Sequence, residues 1–271
     1  MTTIEMKKLS SNNIVSPKGF TAAGVHCGIK KEKKDLAILV SEVPASVAGV
    51  FTTNAVQAAP LKVTKEVVYN SQKMQAIIVN SGNANACTGK QGVADAYEMQ
   101  ALAATKLGIE PYLVGVASTG VIGEIMNMEP VVKGVEMLNP NNDLESGMNF
   151  AQAILTTDTI MKNTTYATVI DGKEVLVSGT AKGSGMIEPN MATMLGFITT
   201  DANIESDELQ KALSEITNLT FNAITVDGDT STNDTVVVLA NGLAGNEPLT
   251  PAHPEWNNFY TALRLVAEDL A

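Results

Sequence analysis

The stretch Tyr166-Ala167-Thr168-Val169-Ile170-Asp171-Gly172-Lys173-Glu174-Val175-Leu176-Val177-Ser178 holds two alternating runs around an Asp-Gly pair. Asp-Gly supplies the positive φ angles that a tight hairpin turn demands, so the spacing predicts antiparallel strands over 166–170 and 173–178. Other apolar runs lie to either side of it. Residues 36–41 read as a buried strand, and 47–52, past Pro44, as its hairpin partner. Strands are also expected over 75–80, 112–118 and 235–239. Helices are expected over 91–107, where Val93, Ala96, Tyr97, Ala101 and Ala104 are apolar and Gly108 follows as a stop. A helix over 148–155 and one over 206–219 come next, the latter with Ser206 as N-cap and Asp207 and Glu208 in its first turn. Phe259, Leu263, Val266 and Leu270 recur at spacings of four, three and four, the mark of an amphipathic helix. That helix reaches Ala271 with no Gly, Asn or Pro to stop it, so the sequence reads as cut within an element. Strands bounded by Gly/Asn/Ser loops and interleaved with helices imply a mixed α/β fold.

Composition narrows the function. The 271 residues include only 12 aromatics and two cysteines, Cys27 and Cys87, too few for a disulfide framework. Net charge is −11, and Arg264 is the only arginine, which argues against a nucleic-acid binder. Residues 1–182 hold 16 basic and 16 acidic groups, whereas 183–271 hold 2 and 13. The chain therefore changes character near residue 182. The N-terminus carries no apolar leader core, and no run approaches the ~18 apolar residues of a membrane span. A soluble cytoplasmic protein is expected.

The segment from Lys182 to Gly196 is the richest in chemistry. Lys182 precedes Gly183-Ser184-Gly185, the reverse of a Walker A order, and position 188 is Glu, so no phosphate cradle is indicated. A flexible loop leading into a strand would account for these glycines. Within it, Ala192-Thr193 suggests another use. A threonine hydroxyl is a weak nucleophile unless a base adjoins it, and a chain-terminal Thr carries its own base, an α-amine of pKa roughly 8. Cleavage before Thr193 would create that group. Ser118-Thr119-Gly120 follows a predicted strand, where a backbone N–H at Gly120 and the Thr119 hydroxyl form the kind of donor pair that stabilises an oxyanion. A strand-end turn is the structural reading of the same residues. Asp227-Gly228-Asp229-Thr230-Ser231-Thr232-Asn233-Asp234 is oxygen-rich but breaks the EF-hand pattern at Thr232 and Val238, so a polar turn or pocket wall is favoured over a metal loop. His26 and Cys27, being adjacent, would point to opposite faces of a strand and pack as small buried residues. His253, between Pro251 and Pro254, reads as a surface-loop residue, and the lysine run over 30–34 as a solvated turn.

Taken in order, Pro17-Lys18-Gly19-Phe20, Gly24-Val25-His26-Cys27-Gly28, Asn80-Ser81-Gly82-Asn83-Ala84-Asn85-Ala86-Cys87, Ser118-Thr119-Gly120-Val121-Ile122-Gly123, Thr156-Thr157-Asp158-Thr159, the Lys182 to Leu195 segment and Asp227 to Asp234 resemble the bifunctional ornithine acetyltransferase / glutamate N-acetyltransferase family of arginine biosynthesis. The resemblance implies layered mixed sheets and helices, and a precursor that cuts itself between Ala192 and Thr193. An α chain (1–192, charge −1) and a β chain (193–271, charge −10, incomplete at its C-terminus) would result, assembled as a heterotetramer. Thr193 would be the nucleophile with its freed amine as base, Thr119 and Gly120 the oxyanion pair, and Thr156, Lys182 and Thr193 substrate-binding positions. Acetyl would pass from N-acetylornithine through an acetyl-threonine to glutamate, with acetyl-CoA a donor in some members and no metal or prosthetic group. The family's chains continue past Ala271 with further substrate-binding residues. A self-processing threonine amidohydrolase and a non-catalytic truncated remnant are the alternative readings.

Overall fold

Some strands of this chain are buried at every position: Thr235-Val236-Val237-Val238-Leu239-Ala240 has no exposed residue. Such a strand needs apolar cover on both faces, which a simple two-layer sheet with one wet side does not give. The computed structural model describes residues 6–158, 160–183, 194–223 and 231–271. Strands β1 (Met6–Lys8) and β2 (Phe20–Val25) precede the long β3 (Leu36–Phe51). Helix α1 (Ala59–Glu66), β4 (Lys73–Asn83), α2 (Gly89–Leu107) and β5 (Val114–Val121) follow. Helices α3 (Met128–Met137) and α4 (Leu144–Ala153) lead to the hairpin β6 (Lys162–Ile170) and β7 (Lys173–Lys182). Strand β8 (Leu195–Thr200), α5 (Ser206–Leu219), β9 (Thr235–Ala240) and α6 (Trp256–Leu270) complete the order.

The strands hydrogen-bond in the order β1-β6-β7-β8-β9-β3-β4-β5, with β2 also on β3. Side-chain alternation sorts their residues into three cores. Val236 and Val238 of β9 and Ile198 of β8 pack with Leu213 of α5 and Leu263 and Val266 of α6. Ile38 of β3 and Ile78 of β4 pack with Met99 of α2 and Val131 of α3. The opposite faces of the same strands, Leu195, Phe197, Val237 and Leu239 on one side and Leu39, Ile77 and Val79 on the other, close on each other. The result is four layers, helix, sheet, sheet, helix. Phe197 and Phe150 meet edge to face in the central core, ring centroids 5.4 Å apart at 82°.

Strand β3 corrects the expectation of a hairpin between 36–41 and 47–52. These segments are one strand, and its two halves have different neighbours: residues 36–41 pair with β2, and residues 46–51 pair with β9. Against β4, Val40 pairs with Ala76 but Ala45 with Met74, a bulge of extra residues in β3 that contains Pro44. A bulge leaves Pro44 with no ladder bond to donate, so the proline bends the strand without ending it. Each half of β3 then lies in a different sheet.

The expected 171–172 turn forms, with Asp171 at φ 53° and Gly172 at φ 69°. Gly108 stops α2 at φ 67°. The core face of α2 is rotated from the expected one, with Met99 and Ala103 buried and Ala101 exposed. Helix α4 starts a turn earlier than expected because Asp143 caps it, its carboxylate accepting the Ser146 N–H at 2.7 Å. Ser206 is not the cap of α5. Its hydroxyl donates to the Gln72 carbonyl and accepts the Val47 N–H, tying α5 to β3. Truncating Phe197 to Ala should lower the unfolding free energy by about 3–5 kcal/mol in denaturant titrations. Tyr112→Ala, at a 58% exposed position, should change it by less than about 0.5 kcal/mol. Equal effects would mean that the central core is not where the fold is held.

Candidate active site

Strand β7 runs antiparallel to β8, and β8 parallel to β9, so the end of the first and the starts of the other two lie side by side. Lys182 pairs with Leu195, which pairs with Thr235. The residue before Leu195 is held through both its N–H and its carbonyl. Met194 donates its N–H to Asp234 Oδ1 at 2.9 Å, and its carbonyl accepts the Thr235 N–H at 3.0 Å. Lys182 is buried at 2% exposure, and burial pulls its pKa down to about 8 against the opposing pull of Asp158 and Asp234. Asp234 is fully buried. Desolvation raises its carboxyl to about 7, resisted by the Met194 N–H, Ser231 and Lys182. A buried cation and a buried carboxylate that both titrate near neutrality are characteristic of sites built for chemistry. Asp158 adds the next link. One of its carboxylate oxygens accepts the Gly183 N–H at 2.7 Å and the other the Thr156 N–H at 3.2 Å, so Thr156 is tied to the end of β7.

The second half of the cluster sits at the ends of the parallel strands β4 and β5. Ser81 pairs with Thr119 and Gly82 with Gly120. The two glycines have φ of 111° and 135°, and a Cβ on Gly120 would lie 2.3 Å from the Gly82 carbonyl carbon. Only glycine fits there. The asparagines of 80–85 fold back on their own loop: Asn80 Nδ2 donates to the Asn83 carbonyl at 2.8 Å, and Asn83 Oδ1 accepts the Asn85 N–H at 2.8 Å. Thr119 is buried at 4% exposure and Gly120 is exposed, at the mouth of this arrangement. Asn233 joins the two halves by donating Nδ2 to the Ala84 carbonyl at 2.6 Å and to the Ser118 carbonyl at 2.8 Å.

The expected site residues are thus brought together in two groups, Thr156 with Lys182 and Thr119 with Gly120, linked through 233–234. Ala192 and Thr193 lie outside the described residues, as do Thr159, most of the glycine-rich loop and the 227–230 part of the acidic segment. Sequence reasoning passed over Asp158, Asn233 and Asp234 as individual residues. A signal was there for Asp234, a charged residue directly before a run buried at every position.

The histidines differ from expectation. His26 is exposed, and its Nδ1 lies 3.1 Å from Asp35 Oδ2. Asp35 is fully buried and also accepts the N–H groups of Cys27, Gly28 and Lys30, which outweigh the desolvation that would raise its pKa and leave it lowered. Cys27 packs against Gly134, and burial with the Asp35 charge pushes its thiol up to about 12, which keeps it protonated and inert. In the lysine run, Lys30 is half-buried and reaches the Leu155 carbonyl at 2.9 Å. His253 is not a free surface residue. Its side chain is 11% exposed, Nδ1 accepts the Glu255 N–H at 3.1 Å, and Nε2 faces Asp171 at 3.3 Å. With Glu255 these two form a group of potential metal ligands within 4.8 Å of one another. An imidazole that accepts at Nδ1 carries its proton on Nε2, so a cation would have to displace an existing hydrogen bond.

Four layers with strand ends from both sheets converging on one polar cluster define an α/β/β/α sandwich with an internal site. The chain belongs to the ArgJ family, whose model matches residues 21–271. The arginine biosynthesis bifunctional protein ArgJ of Halalkalibacterium halodurans is 58% identical over 269 residues, a match covering 99% of this chain and 66% of that relative. This chain therefore spans just under two thirds of the relative's length. A crystal structure of arginine biosynthesis bifunctional protein argJ from Bacillus halodurans matches with a TM-score of 0.67 at 51% identity, over 70% of this chain and 100% of that one. An ornithine acetyltransferase from Mycobacterium tuberculosis, complexed with ornithine, matches with a TM-score of 0.63 at 32% identity and the same coverage. The layered fold expected from the resemblance is the fold observed. Among the described residues no helix is long and apolar enough to cross a membrane.

Because the folded carboxyl of Asp234 is raised from 3.8 to about 7, the native state binds one proton more than the unfolded state between those values. Unfolding free energy should therefore fall as pH rises through that window, relative to an Asp234→Asn variant that lacks the proton. The difference should change by up to about 1.4 kcal/mol per pH unit. Denaturant titrations from pH 4.5 to 6.5 that give a constant difference would refute the assignment.

Proposed function

We propose that this chain is the acetyl-transferring machinery of a bifunctional ornithine acetyltransferase / glutamate N-acetyltransferase, working through Thr193 after cleavage of the Ala192–Thr193 bond. The observation that supports the reading is the chain of contacts beside Met194, the residue next to Thr193: Met194 bonds Asp234, the adjacent Asn233 bonds the Ser118 carbonyl before Thr119 and Gly120, and Leu195 pairs with Lys182, at the strand end to which Asp158 ties Thr156. Chain lengths also support cleavage. The two matched solved chains are each covered in full by 70% of this one, and residues 1–192 are 192 of 271, or about 71%.

In cleavage, the Thr193 hydroxyl adds to the Ala192 carbonyl, its proton passing to the departing amide nitrogen, and the ester so formed is opened by water. This frees the Thr193 amine and the Ala192 carboxylate. In transfer, that amine takes the hydroxyl proton as the oxygen attacks the acetyl carbonyl of N-acetylornithine. Thr119 and Gly120 face the charge that develops on the carbonyl oxygen. Among the described residues the Thr119 hydroxyl has no hydrogen-bond partner, which leaves it available as a donor. The proton then goes to the departing ornithine amine, leaving an acetyl ester on Thr193, and the α-amine of glutamate takes the acetyl group to give N-acetylglutamate. Lys182 and Thr156 hold the substrate, and Lys182, as a buried cation, suits a substrate carboxylate. The reading includes a cytoplasmic heterotetramer of the two fragments, acetyl-CoA as a second donor, and no metal or prosthetic group.

Thr193→Ala should leave one uncut, inactive species in denaturing mass spectrometry. Thr193→Ser keeps the hydroxyl and should still give two fragments meeting at residue 192. Thr119→Ala should fold and lose about 3 kcal/mol of transition-state stabilisation, near a hundredfold in kcat. Transfer is read as labelled N-acetylglutamate from N-acetylornithine and labelled glutamate. Cutting and turnover by Thr193→Ala would overturn the mechanism, and acetate release without labelled product would make the protein a hydrolase.

A further inference from the structure

We infer that Asn233 and Asp234 are positioning residues, two consecutive side chains that set the separation between the nucleophile's strand in one sheet and the oxyanion strand in the other. The catalytic consequence rests on the proposed role of Thr193, but the geometry does not depend on it. Neighbouring side chains of an extended segment point to opposite faces, so a pair at the start of β9 can reach both sheets.

Asn233, 6% exposed, spends both amide hydrogens on the carbonyls of Ala84 and Ser118. The Ser118 carbonyl belongs to the peptide unit that carries the Thr119 N–H, so this bond fixes the plane leading into the proposed donor pair. The amide is held in one orientation because the Thr232 hydroxyl donates to its Oδ1 at 2.5 Å. Asp234, with no exposed surface, accepts the Met194 N–H, which belongs to the peptide unit leaving residue 193. The segment bearing both is itself anchored. Thr52 donates its N–H to the Asp234 carbonyl at 3.0 Å and its hydroxyl to the Ser231 carbonyl at 2.8 Å, and the Ala58 N–H reaches the Thr232 carbonyl at 2.9 Å. A shift of either side chain would move one half of the site relative to the other, and misplacement of about 1 Å is enough to cost two orders of magnitude in rate.

The test pairs amide hydrogen exchange in the uncut Thr193→Ala chain with cleavage rates in the Thr193 chain. Asp234→Ala should speed exchange at Met194 about tenfold or more, and Asp234→Asn, which keeps an acceptor oxygen, should restore protection. Asn233→Ala should do the same at residues 119–121. Exchange in β6 and β7 should stay unchanged throughout, which separates positioning from general destabilisation. Cleavage should slow at least about tenfold in Asn233→Asp, which points an acceptor at two carbonyls, whereas Met194 exchange in Asp234→Asn should match that of the parent chain. If the alanine variants do not fold, these two near-isosteric exchanges decide the matter. Unchanged Met194 exchange in Asp234→Ala, or normal cleavage in Asn233→Asp, would overturn the inference. If the parent chain is not cut at all, the proposed role of Thr193 fails, and the exchange data alone decide the positioning claim.

Discussion

Because β3 carries ladder bonds to β2 and β4 along its first half and to β9 along its second, a single strand holds the two sheets in a fixed relation. Each sheet is buried on both faces, and their facing sides share the central core of Phe197, Val237, Leu39 and Ile77. Sliding one sheet over the other would break the β3 ladder and uncover that core together. This constraint lets groups from different sheets meet at defined distances without a ligand to organise them. The bulge at Pro44 is the device that turns one strand into a member of two sheets.

The cost of the arrangement falls on its ionisable groups. Lys182 and Asp234 are buried where neither charge is fully hydrated, and each is displaced toward its neutral form. Asp158, less buried, spends its oxygens on main-chain N–H groups instead. Burial works against the charge on each, and the opposite charge of the other works for it. Asp35 shows the contrasting case, a buried carboxylate whose three N–H donors hold it ionised in a purely local role beside the lysine loop.

What could be read from the sequence follows from the range of each interaction. The 171–172 turn and the Gly108 stop are local, fixed by backbone preferences of two or three residues, and both form as expected. The strand cores were legible because runs such as 236–240 are apolar throughout. The fate of Pro44 was not, because whether a proline ends a strand or sits in a bulge depends on what pairs across it. Ser206 looked like a helix cap and instead bonds Gln72 and Val47, partners 134 and 159 residues away. The motifs around Thr119, Thr156 and Lys182 were legible through resemblance. Their joining through Asn233, 115 residues from Ser118, belongs to the fold alone.

The central claim is that residue 193 carries the acetyl group across this junction. The direct measurement is mass spectrometry of the protein quenched in acid shortly after mixing with N-acetylornithine. The account predicts one acetyl group on the fragment that begins at Thr193, and its disappearance when glutamate is added before the quench. Acetyl on any other residue, or N-acetylglutamate formed by a chain still intact across Ala192 and Thr193, would contradict it.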